Sequence, residues 1–183
     1  MKALLLVQFD IKDMEETSQG FLSEGDNAPE FTFEDNNFKE AKLSNYKNRS
    51  NIIVYFYPRD FTPGCSTEAA EFTEDYQEFA NLGIEIMGIS SDTKNSHTKF
   101  KERFHIPYIL VSDPENIISK QYGIFGKKTF MGKEYFGVAR STFLIDKKGK
   151  IIKIFHKVKP SGHSKEVKEF FNAWMSSNKS NIK

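Results

Sequence analysis

Two apolar runs, Ile52–Tyr57 and Ile84–Ile89, bracket a stretch of helical periodicity, and this arrangement restricts the fold more than any other feature of the chain. Both runs are rich in the β-branched and aromatic residues that suit a buried strand. Between them Ala69, Phe72, Tyr76 and Phe79 recur three or four apart, as on one face of a helix. Gly83 breaks that pattern. A strand–helix–strand crossover of this length implies parallel neighbouring strands and a right-handed connection.

The remaining chain adds elements to that unit. Phe31–Phe33 and Ala41–Leu43 flank the turn-rich Glu34–Asn37, a hairpin-like entry. Asp92 or Thr93 caps a helix carrying His97, Phe100, Lys101 and Phe104, and Pro107 stops it. Tyr108–Val111 reads as a short strand, and Pro114–Tyr122 as a short helix ended by Gly123. Phe125–Gly137 has no clean period and reads as a long loop or loose hairpin. Val138–Ile145 and Ile151–Phe155 flank Asp146–Gly149, a hairpin turn signal. Val167, Phe170, Phe171, Trp174 and Met175 share one face of a final helix. The order predicts an α/β domain with a mixed sheet covered on both faces. Its expected limits are residues 25–176, with 1–24 a leader of no assigned function and 177–183 a flexible tail. In the leader, Ala3–Phe9 has the character of an edge strand or interface segment and Asp13–Gly20 that of a loop.

Composition narrows the function classes. The 183 residues, 38% hydrophobic with eighteen Phe, suffice for one sizeable core. Lys plus Arg is 26 against 25 acidic residues, so a net charge of +1 gives no reason to expect nucleic acid or a membrane surface as partner. The apolar start stops at Gln8 without a cleavage site, and no stretch approaches the roughly 20 apolar residues of a membrane helix. The sole cysteine, Cys65, rules out an intramolecular disulfide or a Cys-x-x-Cys pair. Without a disulfide framework the expected compartment is the cytoplasm. The four histidines show no metal-ligand spacing, so no metal or other cofactor is expected.

That cysteine lies in Tyr57-Pro58-Arg59-Asp60-Phe61-Thr62-Pro63-Gly64-Cys65-Ser66-Thr67-Glu68, between the first apolar strand and the helical run. Cys65 therefore falls in the first turn of a helix, where backbone N–H groups lack intrahelical partners and the dipole is positive. A thiolate is favoured there. The N–H groups of Gly64 and Cys65 can also aim at an anionic oxygen. Arg140 opens an otherwise apolar strand, a costly place unless the guanidinium has partners. A thiolate would suit it, and so would a rim salt bridge to Glu68 or Asp146. Glu68 either orients Arg140 or supplies favourable charge to a first helical turn. Arg59 and Asp60 read as surface residues bordering the pocket.

The Pro58-x-x-x-Thr62-x-x-Cys65 spacing resembles the active-site signature of the peroxiredoxins, closest to the bacterioferritin-comigratory, or Q-type, branch. The likeness extends through Gly25-Asp26-x-Ala28-Pro29-x-Phe31, Ser90-Ser91-Asp92 with Ser96-His97, Ser112-Asp113-Pro114, Arg140-Ser141-Thr142-Phe143 and Val158-Lys159-Pro160. It implies a thioredoxin-like fold and a thiol-dependent peroxidase reducing hydrogen peroxide and organic hydroperoxides through a sulfenic acid on Cys65. It assigns peroxide hydrogen bonding to Thr62, stabilisation of the sulfur and the breaking bond to Arg140, and shielding of the sulfur to Pro58. Q-type relatives often carry a second cysteine five residues on, where this chain has Ala70. Resolution is therefore expected from outside, by thioredoxin, glutaredoxin or a small thiol, in a monomer or a homodimer. The alternative from another class is a peroxide-responsive redox sensor or holdase using the same cysteine.

Overall fold

The computed structural model describes residues 22–37, 39–130 and 133–180. The readings of Ala3–Phe9 and Asp13–Gly20 lie outside the described residues. The chain runs β1 (Thr32–Glu34), β2 (Glu40–Lys42), a 3-10 turn, β3 (Asn51–Phe56), α1 (Pro63–Glu74), α2 (Tyr76–Asn81), β4 (Ile84–Ser90), α3 (Lys94–Phe104), β5 (Ile109–Ser112), α4 (Ile117–Gln121), β6 (Phe125–Phe130), β7 (Lys133–Val138), β8 (Ser141–Ile145), β9 (Ile151–His156) and α5 (His163–Ser180).

The five-stranded sheet has the order β5-β4-β3-β8-β9. β3, β4 and β5 are parallel, as the crossover pattern requires, and β8 and β9 join antiparallel. This is the expected thioredoxin-like mixed sheet. β3 is central and every residue in it is buried, so it alternates between two cores rather than between core and solvent. Ile52, Val54 and Phe56 face a cluster with Met87, Ile89, Phe143, α4 and the β1–β2 hairpin. Ile53, Tyr55 and Tyr57 face the other, formed with Cys65, Ala69 and Phe72 of α1, Phe100 of α3, and Val167 and Phe171 of α5. Each such side chain taken out of water contributes about 1.5–3 kcal/mol. The rigid strand end that results fixes where the Cys65 loop starts.

Four boundaries differ from the sequence reading. The helical run breaks at Asp75, whose carboxylate accepts from Ser164 Oγ and Lys168 Nζ of α5, each at 2.7 Å. His105, in the left-handed conformation at φ 51°, ends α3 before Pro107 is reached. Val138–Ile145 is not one strand: Val138 ends β7, Ser141 begins β8, and Arg140 sits in the connection. Phe125–Gly137 belongs to a regular antiparallel ribbon apart from the main sheet, with Gly126 paired to Gly137. Its outer residues Tyr135 and Phe136 are exposed, which removes the apolar alternation that reveals a half-buried strand. At the ends, Leu22 packs on the core and Glu24 pairs with Lys153 at 3.0 Å, while α5 continues to Ser180.

Gly88 marks where the sheet is tightest. It stands level with Tyr55 and Leu110 on the flanking strands, and a Cβ there would lie 2.7 Å from the Tyr55 ring and 2.8 Å from Leu110 Cδ2. Gly88→Ala is therefore expected to destabilise the fold by about 1–3 kcal/mol. Gly126→Ala, where a Cβ meets nothing within 4 Å, should leave stability within about 0.5–1 kcal/mol of wild type. Urea unfolding of the two variants measures the difference.

Candidate active site

Thr62 is the N-cap of α1, Pro63 takes the first helical position, and Cys65 follows in the first turn. Pro at that position forfeits no helical hydrogen bond, because its missing N–H would be an orphan anyway. The sulfur-bearing residue is only 1% exposed, in the core cluster shared by β3, α1, α3 and α5. Burial of this kind disfavours a bare thiolate unless a counter-charge is close.

Arg140 supplies that counter-charge. Its Nη2 lies 3.1 Å from Cys65 Sγ, and its Nη1 donates to Glu68 Oε2. The Glu68 side chain has no exposed surface and that of Arg140 is 13% exposed. The guanidinium thus spans two groups one helical turn apart on α1, and the two readings of Arg140 merge: it is both the Glu68 partner and the sulfur's neighbour. Burial disfavours the charge on Arg140, yet Glu68 and Cys65 outweigh it and hold the guanidinium above its ordinary pKa. For Glu68 the balance goes the other way. Burial is the largest influence and pushes it up to about 7, with Arg140 opposing. Glu68 Oε1, buried and without a hydrogen-bond partner among the described residues, accounts for the reluctance to ionise.

Gly64 permits the close approach of these parts. A Cβ at that position would lie 3.0 Å from Pro160 Cγ and 3.4 Å from Arg140 Nη2. The Val158 N–H donates to the Arg140 carbonyl at 3.2 Å, which ties the loop after β9 to the arginine. Three stretches distant in sequence therefore meet at one helix start.

The loop residues are placed as follows. The Thr62 hydroxyl donates to the Arg59 carbonyl at 3.1 Å, which leaves its oxygen lone pairs available. Pro58 and Arg59 are exposed. Asp60 is not on the surface: it is 3% exposed. Its carboxylate accepts from the Tyr57 hydroxyl at 2.8 Å and Ser96 Oγ at 2.7 Å, and meets His97 Nδ1 at 2.9 Å. Burial works against this charge, but the hydrogen bonds, His97 foremost, hold Asp60 below its ordinary pKa. Phe61 beside it has φ 60° and is 50% exposed, a left-handed conformation that costs a bulky residue roughly 1–2 kcal/mol. Its ring meets Phe100 edge-on with centroids 5.1 Å apart.

His97 and Asp60 are the buried polar pair that the sequence reading missed. The available signal was Ser96-His97 facing a strand-end acidic residue, which composition alone does not single out. His163, the first residue of α5, is also buried, with Nε2 2.8 Å from Thr142 Oγ1. Burial lowers its pKa, and Glu166 opposes the shift. Among the described residues no group of His, Cys, Asp and Glu could hold a metal ion, and no helix is long and apolar enough to cross a membrane. A cleft of about 490 Å³ lies between the β1–β2 hairpin, α3 and β5, lined by Phe33, Glu34, Lys94, Lys101 and Leu110 among others, but not by Cys65, Thr62 or Arg140. Chemistry rather than concavity marks the site.

Comparison with known proteins shows which family the chain resembles. A family model described as the AhpC/TSA family matches residues 25–154. The chain is 42% identical over 143 residues to peroxiredoxin Bcp of Bacillus subtilis, covering 78% of this chain and 90% of that protein. It is 36% identical over 142 residues to peroxiredoxin Bcp of Escherichia coli, again covering 78% and 90%. Among solved structures, a cysteine-to-serine variant of PrxQ from Xylella fastidiosa superposes with a TM-score of 0.79 at 30% identity, covering 85% of this chain and 99% of that one. The bacterioferritin comigratory protein of Xanthomonas campestris, studied for alkyl peroxide reduction, gives a TM-score of 0.74 at 30% identity over 78% and 89%.

The Glu68 environment has a pH signature. A carboxyl whose folded pKa is raised, here from 4.5 to about 7, binds a proton in the folded chain that the unfolded chain has released. Its contribution is fully present below the unfolded value and is lost as pH rises through the folded one. The unfolding free energy of wild type relative to Glu68→Gln should therefore fall between about pH 4.5 and 7. Denaturant titrations of both proteins across that range give the difference, and a flat or rising profile contradicts the assignment.

Proposed function

Since the chain belongs to the AhpC/TSA family, in its Bcp peroxiredoxin branch, we propose that it is a thiol-dependent peroxidase whose peroxidatic sulfur is Cys65. The observation that carries the reading is the Arg140 guanidinium 3.1 Å from Cys65 Sγ, with Glu68 holding its other arm. A contact of this kind places a fixed positive charge against the reacting sulfur.

The thiolate attacks one peroxide oxygen, an S–O bond forms and the O–O bond breaks. The sulfur is oxidised to a sulfenic acid, and the departing oxygen takes a proton to leave as water or an alcohol. Charge moves from sulfur to the leaving oxygen, so a donor that reaches both ends is worth most in the transition state. Arg140 suits that task. The Thr62 hydroxyl can accept a hydrogen bond from the peroxide O–H, and the amides of Gly64 and Cys65 at the start of α1 can donate to the peroxide. Pro58, exposed at the loop, contributes backbone restraint.

With Cys65 the only cysteine, the second half of the cycle draws on external thiols. One thiol displaces hydroxide from the sulfenic acid, giving a mixed disulfide and water. A second thiol attacks that disulfide and restores Cys65. Thioredoxin, glutaredoxin or a low-molecular-weight thiol fills the role, and the cytoplasm, where such thiols are kept reduced, is the compartment we assign.

Peroxide consumption with dithiothreitol as reductant tests the reading. Cys65→Ser should abolish turnover, and retained activity would sink the mechanism. Thr62→Val and Arg140→Met should each slow the reaction at least about tenfold, ~1.4 kcal/mol at the transition state.

A further inference from the structure

Asp60 and His97 form a buried pair that the steps above do not use. Their side chains are 0% and 4% exposed. The Asp60 carboxylate takes hydrogen bonds from the end of β3, through the Tyr57 hydroxyl, and from α3, through Ser96 Oγ and His97 Nδ1. Its own N–H donates to Asp92 Oδ2 at 2.8 Å, and that carboxylate is held in turn by Ser90 Oγ at 2.7 Å. His97 Nε2 reaches the Val111 carbonyl of β5 at 3.2 Å. His97 Nδ1 also lies 3.5 Å from the Tyr57 hydroxyl, so the ring is held through both of its nitrogens. One loop residue is thereby fastened to β3, β4, α3 and, through the histidine, β5.

The fastening sits two residues before Thr62. Between them Phe61 is held left-handed, a conformation that relaxes unless both sides of it are fixed. On the far side Pro63 is fixed as the first residue of α1. On the near side only Asp60 is buried, because Pro58 and Arg59 are exposed. Releasing Asp60 therefore lets the 58–62 segment move while leaving Cys65, Arg140 and Glu68 on their own supports.

We propose that Asp60 and His97 are positioning residues for the peroxide step, holding the Thr62 hydroxyl in register with the sulfur while contributing nothing to the ionisation of Cys65. The inference rests on the peroxidase reading of the site. It separates two properties of the same cysteine. Nucleophilicity comes from α1 and Arg140, and peroxide geometry from the loop that Asp60 fastens.

Two rates measured on the same reduced protein distinguish these properties: oxidation of Cys65 by hydrogen peroxide, and its alkylation by iodoacetamide at the same pH. In Asp60→Asn the peroxide rate should fall by about tenfold, the scale of a small misplacement of a positioned group, with alkylation within about twofold of wild type. His97→Asn, which can keep a donor near the Nδ1 position, should retain more of the peroxide rate than His97→Ala. Ser96→Ala, which loses one hydrogen bond and buries no unpaired charge, should slow peroxide about threefold at unchanged alkylation. If Asp60→Asn does not fold, Ser96→Ala and His97→Asn decide by the same two rates. Wild-type peroxide rates in the folded variants, or alkylation falling in parallel with peroxide oxidation, would overturn the proposal. A wild-type protein that alkylates normally but does not react with peroxide would overturn the peroxidase reading itself, an outcome visible before any variant is made.

Discussion

The structure turns on one guanidinium shared between a sulfur and a carboxyl. Arg140 lies between Cys65 and Glu68, both buried on the first turns of α1. A buried cation with one partner would be costly, and a buried thiolate with none would revert to a thiol. Together the three groups tolerate burial, because Arg140 stays charged while Glu68, pushed up to about 7, titrates near neutrality. The carboxyl holds one arm of the guanidinium, and the other arm is directed at the sulfur.

Much of the fold exists to bring that trio together. β3 must be rigid so that the loop leaving Tyr57 starts from a defined point, and burial on both faces provides this. Arg140 arrives from the opposite direction, in the link between the β6–β7 ribbon and β8. The Ala139 N–H is held by the Ile124 carbonyl at 2.8 Å, and the Arg140 carbonyl by the Val158 N–H. Gly64 then lets Pro160 and the guanidinium press against the helix start. A Cβ at Gly64 would crowd both of them.

The sequence made some of this legible, for identifiable reasons. Parallel pairing of β3 with β4 followed from two apolar runs and a helical crossover, a pattern that burial on both faces imposes. The position of Cys65 in a first helical turn followed from the strand-like run that ends at Tyr57 and the helical periodicity that follows. The meeting of Arg140 with both Cys65 and Glu68 was visible as one of two readings, Glu68 orienting the arginine or serving the helix start, because linear spacing cannot show that one planar fork serves two groups at once. Asp60 was misread as a surface residue. Acidic loop residues are mostly exposed, and what buries this one, His97 with Ser96 on α3, lies far along the chain. The β6–β7 ribbon was legible only as a long loop or loose hairpin, because exposed side chains such as Phe136 leave no alternation to detect.

The contrast between the two buried carboxyls shows how one loop can serve two ends. Among the described residues Glu68 has one cationic partner and an oxygen left without a partner, so its charge is marginal. Asp60 has three hydrogen-bonding partners, so its charge is held and it acts as a fixed anchor. The carboxyl with the marginal charge lies beside Arg140, and the one with the held charge lies against α3. The two carboxyls thus divide by what they touch: Glu68 meets the arginine that contacts the sulfur, and Asp60 meets the elements that hold the preceding loop.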